Sequence, residues 1–258
     1  MKKTLLTLSF LALVQLGYSQ WKKEWSVGYT LAIPQGMMDQ TINQGNGVTT
    51  DFYFLSPNKR FALGVDLNYT IYGFNQSRQQ YSFPDGTTAD MDVNITNSFV
   101  NGMFSARYNL MKGKVLTPYV GIKGGYSGFR TDLNIYDPDD FDSCEPVEKD
   151  ILLKDGSWIY SLGGGVSYDL SSLFKKLRSD FLFINLSAYY TQGGEINYMN
   201  TDAPQANHMG STSRSHDLEA TFINTQTQVI HKHHVGNVYT DAIRMMDFRF
   251  SVTFRFQH

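Results

Sequence analysis

Residues 245–258, "MMDFRFSVTFRFQH", close the sequence on a strict two-residue alternation. Strand side chains point to opposite faces in turn. As a strand, this segment puts Phe248, Phe250, Val252, Phe254 and Phe256 on one face and Arg249, Ser251, Thr253 and Arg255 on the other. Nothing follows to cover the phenylalanines. Either the rest of the chain buries them, or the medium on that side is not water.

Working outward, the same alternation recurs. "EWSVGYTLAI" sets Trp25, Val27, Tyr29, Leu31 and Ile33 against Ser26, Gly28, Thr30 and Ala32, and "FALGVDLNYTIY" sets Phe61 through Ile71 against Ala62, Gly64, Asp66, Asn68 and Thr70. Comparable segments are "SFVNGMFSARYNL", "LTPYVGIKGGYSG", "SWIYSLGGGVSYDL" and "FLFINLSAYY", with a less regular one at "VTTDFYFLS". Together with the closing stretch they make eight. Eight segments of about ten residues, mostly alternating, predict an all-β fold: an eight-stranded antiparallel up-and-down transmembrane β-barrel.

The connections point the same way. "SPNKR", "MKGK" and "SSLFKKLRSD" are short, and they alternate with four longer loops that lengthen along the chain. Barrels of the outer membrane combine tight periplasmic turns with free outer loops. The two longest loops are expected at about residues 130–156 and 193–243. The phenylalanine face then meets lipid, the Arg/Ser/Thr face lines the interior, and pairing of the last strand with the first removes both sheet edges.

The first residues read as an export signal. Lys2 and Lys3 precede an apolar run from Leu5 to Val14, and Gly17-Tyr18-Ser19 supplies a small-residue cleavage region. Residues 1–19 are the expected cleaved signal peptide, and residues 20–258 the barrel domain. The run is too short for a membrane-spanning helix, and a mean hydropathy of −0.31 agrees with the lack of one elsewhere. The single cysteine, Cys144, excludes a disulfide framework within the chain. A net charge of −2 without a basic cluster gives no reason to expect a nucleic-acid partner.

"QLGYSQ", "PYVGIKGGYS", "GGGVSYDL" and "FRFSVTFRFQH" together resemble the small outer-membrane β-barrel proteins of the Bacteroidota, of OmpA/OmpX-type architecture. The resemblance implies an outer-membrane location, both termini periplasmic, and contact with outer-membrane lipid and with other outer-membrane or surface proteins. It implies no cofactor. It names an architecture, not an activity, so function has to come from sites.

Three groups of residues are candidates. Asp66, Arg107, Lys123, Arg249 and Arg255 point inward on this register, with Asp169 near the periplasmic end. An eight-stranded bore is filled by side chains, so these charges read as a paired plug, the alternative being a narrow solute path. The acidic loop "YDPDDFDSCEPVEKD" carries carboxylates suited to hard cations, but not at EF-hand spacing. The segment "TFINTQTQVIHKHHVGNVY" holds His231 and His233 on one face of an extended strand and His234 on the other. Such a pair suits a transition metal if His208 or His216 completes it; the plain alternative is a polar hairpin. Ser215-His216-Asp217 resembles a hydrolase triad only in composition, since adjacent side chains diverge. The expected function is non-enzymatic: a barrel presenting large surface loops for binding, or one part of a membrane assembly. A narrow pore is the alternative, and a barrel-rim hydrolase comes behind it.

Overall fold

The computed structural model describes residues 21–82, 88–111, 115–136, 146, 148–172, 180–200, 215–223 and 230–256, of which 79–82, 88–89, 148, 172, 215–223 and 230–235 by their backbone alone. The expected signal peptide, most of the acidic loop with Cys144, and His208 lie outside the described residues. Among the described residues nine strands follow in chain order: β1 (Lys22–Pro34), β2 (Gly45–Leu55), β3 (Phe61–Ser82), β4 (Thr88–Asn109), β5 (Leu116–Tyr136), β6 (Glu148–Asp169), β7 (Leu182–Asn200), β8 (Ser215–Ile223) and β9 (Ile230–Phe256). Every pairing is antiparallel. Neighbours run β1 to β7 in order, then β9, and β9 pairs back to β1 from Lys23↔Phe256 to Pro34↔Met245. Eight strands therefore close a barrel. β8 is the ninth, and it takes over the edge of β9 above the point where β1 stops.

The strands run beyond the expected loop limits. Residues 130–136 belong to β5 and 148–156 to β6, while 193–200, β8 and the start of β9 occupy much of the span from 193 to 243. Length gives the reason. A strand of 22 residues, such as β3, is about 70 Å long at ~3.3 Å per residue. Tilted by about 40°, it rises roughly twice as far as the ~25 Å apolar band of a membrane barrel.

The outer face divides accordingly. In the lower section, apolar side chains stand out from the wall without cover: Phe61, Leu63, Val65 and Leu67 on β3, Phe104 on β4, Ile122 on β5, Leu162 on β6, Leu186 on β7, and Phe248 and Phe250 on β9. Phe104 is 78 % and Trp158 76 % exposed to solvent. A continuous belt of this kind is intolerable in water and required in lipid, so the barrel spans a membrane. Trp25, Phe61, Tyr108 and Phe256 lie toward its lower rim, and Tyr69, Tyr126 and Trp158 toward its upper rim.

Above the belt the pattern inverts. The outer face becomes polar, with ion pairs Arg78–Asp92 and Arg130–Asp132. The inner face becomes apolar, carrying Met91, Val93, Ile95 and Phe99 of β4, Phe129, Leu133 and Ile135 of β5, and Ile196 and Tyr198 of β7. Here the wall also parts into two leaves. The β6–β7 ladder ends at Ile159↔Gly193, and the β2–β3 ladder at Asn46↔Ile71. β3 to β6 continue as one sheet, and β7, β9 and β8 as another. A bulge at Gly193-Gly194 shifts the parity of β7 by one, so that Ile196 and Tyr198 still face inward.

Candidate functional site

Two layers of charge cross the membrane section of the bore. The middle layer is built on Asp66 of β3, wholly buried, whose Oδ2 accepts from the Lys123 ammonium of β5 and the Arg249 guanidinium of β9. Arg249 Nη1 also donates to Thr49 at 3.1 Å and stands 3.8 Å from the Asp51 carboxylate. Asp247, two residues before Arg249 on the same face, accepts from Thr191 at 2.8 Å. Tyr189 of β7 covers the cations, with Lys123 Nζ 4.1 Å from its ring centre. Room for that ring comes from Gly121, where a Cβ would meet the Tyr189 hydroxyl at 2.7 Å.

The lower layer is built on Glu24 of β1, 1 % exposed, between Arg107 and Arg255. Arg255 Nε donates to Glu24 Oε1 at 2.7 Å. Its Nη1 reaches Asp180, in the turn before β7. Asp180 Oδ2 in turn accepts from Lys22 at 2.8 Å and Lys59 at 2.7 Å. Three elements at the lower end of the barrel and the last strand thus meet at one carboxylate. Although partial burial works to raise its pKa, the bonds from Lys22, Lys59 and Arg255 hold Asp180 down at about 2. Arg107 lies between the rings of Tyr53 and Tyr119, at 4.8 and 5.0 Å from their centres.

On the inner wall the four cations Arg107, Lys123, Arg249 and Arg255 face four acids, Glu24, Asp51, Asp66 and Asp247. Buried charges persist when paired and hydrogen-bonded. Glu24 and Asp66 each hold two cations, while among the described residues one oxygen each of Asp51, Asp66 and Asp247, Nε of Arg107, and Nε and Nη2 of Arg249 are buried without a hydrogen-bond partner. All five residues of the expected inner charge cluster, Asp66, Arg107, Lys123, Arg249 and Arg255, lie on this wall. Phe248, Phe250, Val252, Phe254 and Phe256 of the closing strand point outward. Sequence reasoning missed the partners Glu24, Asp51, Asp247 and Asp180. Parity alone could have found two of them, since Glu24 shares the face of Ser26 and Asp247 that of Arg249.

A third layer closes the bore above the charges. Phe99 and Phe129 stack at 5.1 Å between centres, with Tyr72 5.7 Å from Phe129. The β1–β2 connection folds in over them. Its Met38 is fully buried, and Thr41 Oγ1 lies 2.7 Å from the Tyr198 hydroxyl. Asn97 of β4 donates to the Met199 carbonyl of β7 at 3.1 Å, which ties one leaf to the other across the interior.

The histidine segment sits on the β8–β9 pair. Backbone register sets His231 opposite Phe222, His233 opposite Ala220 and His234 opposite Glu219. These side chains lie outside the described residues, as do those of Ser215, His216 and Asp217, which the register places on β8. Among the described residues, no group of three or more metal-ligating side chains comes together.

No family model and no curated protein matches the chain. Among solved structures it is similar to neisserial surface protein A (12 % identity, TM-score 0.39, covering 92 % of this chain and 98 % of that one). It is also similar to Ail, the attachment invasion locus protein of Yersinia pestis (8 %, 0.42, 92 % and 99 %), and to the outer membrane protein AlkL (14 %, 0.37, 94 % and 93 %). Likeness at this level carries no information about ligand or activity.

Proposed function

We propose that this protein is a non-enzymatic component of a bacterial outer membrane, which holds a rigid two-leaved platform above the lipid for binding a surface molecule or another membrane protein. The observation that carries this reading is the filling of the bore. Paired charges occupy its membrane section, and Phe99, Phe129, Tyr72 and Met38 occupy the section above. A solute path would need those layers to open together, at the cost of several buried ion pairs. A platform needs them closed, because they brace the wall that carries β8 and β9. The apolar outer belt suits the lipid contact this reading requires. The export signal and the periplasmic termini belong to the same proposal.

The test uses the purified full chain in planar bilayers, together with crosslinking on intact cells from a photoreactive group on the upper outer wall. The expected result is a bilayer without steady ohmic steps and a crosslink to a defined surface partner. Reproducible conductance that rises when Phe99 and Phe129 are changed to Ala would replace this reading with the narrow pore.

A further inference from the structure

At the upper rim of the apolar belt, β3 to β6 frame an outward depression of about 720 Å³, with Tyr69 and Val100 on one side and Tyr126 on the other. Its floor is missing because Gly128 and Gly156 are cross-strand partners on the outward face. A Cβ at Gly128 would meet nothing within 4 Å, whereas one at Gly156 would strike the leaning Tyr126 ring. One step higher on the same face, Arg130 and Lys154 stand directly opposite each other. Like charges in that position repel. Arg130 is held by Asp132, its Nε donating at 2.6 Å. Asp155 also lines the depression, and its carboxylate accepts from the Gly156 amide on one oxygen and from the Asn197 amide and side chain on the other, at 2.7 to 2.8 Å. Among the described residues Lys154 has no ion-pair partner, and it is exposed.

Below the depression the outer face is fully apolar, through Ile122 and Phe104. The upper edge of the depression carries the Lys154 ammonium and the Arg130 guanidinium, together with the Asp132 carboxylate paired to Arg130 and the hydrogen-bonded Asp155 carboxylate. Tyr126 and Trp158, edge to face at 5.8 Å, flank it at the height where interfacial aromatics belong. From this arrangement of apolar trough, glycine floor and cationic lip, we infer that the β5–β6 face is a binding site for one outer-leaflet lipid with a phosphate-bearing anionic head group. The phosphate sits at Lys154 and Arg130, and an acyl chain lies down the trough over Gly128. The inference rests on the barrel spanning a membrane, and it adds a defined site to what would otherwise be general lipid contact.

Trp158 supplies the reporter. Full-length protein carrying Trp21→Phe and Trp25→Phe, with Trp158 as its one remaining tryptophan, is folded into phosphatidylcholine vesicles. The vesicles contain a small fixed fraction of either dibrominated phosphatidic acid or dibrominated phosphatidylcholine. The expected result is stronger quenching by the brominated phosphatidic acid than random mixing allows. Lys154→Gln should lower that enrichment about fivefold, the worth of one cation near an anionic lipid head. Gly128→Phe, which fills the trough and keeps both charges, should lower it as well. Folding of each variant is checked by its heat-dependent gel mobility. Equal quenching by the two brominated lipids, or enrichment unchanged in both variants, overturns the site. Displacement of the lipid by inorganic phosphate alone would also overturn it, leaving only an ion site. Failure of both lipids to quench Trp158 would instead refute membrane insertion itself.

Discussion

Replacing Asp66 by Asn tests whether the middle charge layer holds the barrel wall together. The amide keeps the volume and removes the charge that Lys123 and Arg249 share. Removing one partner of a buried pair costs about 3–5 kcal/mol, because the remaining charge stays buried and unpaired. Here two cations lose their carboxylate, which would place the cost at the upper end. However, Asp51 lies 3.8 Å from Arg249 and can take up part of its charge. Lys123 then bears most of the loss, so about 3 kcal/mol is expected. The assay is equilibrium unfolding by guanidinium of the protein folded into lipid vesicles, read by tryptophan emission, with gel mobility as an independent report of closure. A second change, Lys123→Met, removes the stranded ammonium and keeps much of its apolar stem against Tyr189. Asp66→Asn/Lys123→Met should therefore be more stable than Asp66→Asn alone, with a coupling of at least ~1.5 kcal/mol. A single-variant loss below about 1 kcal/mol, or strict additivity of the two changes, would refute the argument. The layer would then be hydrated and only loosely paired.

Three further outcomes can be measured on the same preparation. Phe250→Arg should cost about 2–4 kcal/mol if that outward position lies near the bilayer midplane, and Phe250→Leu less than about 1.5 kcal/mol; equal costs would mean that the position does not meet hydrocarbon. Because Asp180 titrates near 2, below the usual carboxylate value of 3.8, its stabilisation should be complete above about pH 4 and lost as the pH falls through 2. The stability gap between the wild type and Asp180→Asn should therefore close over that window, and a gap that persists below pH 2 would show that the charge is not its source. If His231 and His233 hold a transition metal, calorimetric titration with Zn²⁺ should show saturable binding that weakens as the pH drops through roughly 6.5, and that is lost on changing either residue to Ala; binding that survives both changes would place the ligands elsewhere.

The membrane section was legible in the sequence because one physical rule governs its whole height. Lipid outside and a packed polar bore inside turn every strand into a period-two pattern, and the closing stretch shows it without interruption from Phe248 to Phe256. β1, β3, β5 and β9 carry the expected outward faces, and Asp66, Arg107, Lys123, Arg249 and Arg255 the expected inward ones. The partner acids were harder to see. Asp51 lies in the least regular strand, and Asp180 in a turn whose approach to Arg255 depends on closure of the barrel. No local pattern encodes a contact between a turn and a strand 75 residues away.

Much of the upper wall reads as loop in the sequence, for a more instructive reason. Alternation specifies two faces but does not say which of them meets the solvent. On β4 the inner face runs Arg107, Ser105, Met103, Asn101, Phe99, Asn97, Ile95, Val93 and Met91 from bottom to top, polar at one end and apolar at the other. The outer face runs Tyr108, Ala106, Phe104, Gly102, Val100, Ser98, Thr96, Asn94 and Asp92, in the opposite sense. The crossover falls between Val100 and Ser98, close to Phe99, where the surrounding medium changes from hydrocarbon to water. Read with a single rule, the upper residues look like loop, because their outward face is too polar for lipid. Read with the rule reversed, they continue the same strand, and the point of reversal marks the edge of the membrane on the chain. β5 reverses between Tyr126 and Arg130 by the same criterion, and Arg130 is where it meets Lys154 above the glycine-floored trough. The boundary of the bilayer and the proposed lipid site are thus fixed by one feature of the sequence: the residues at which polarity changes face.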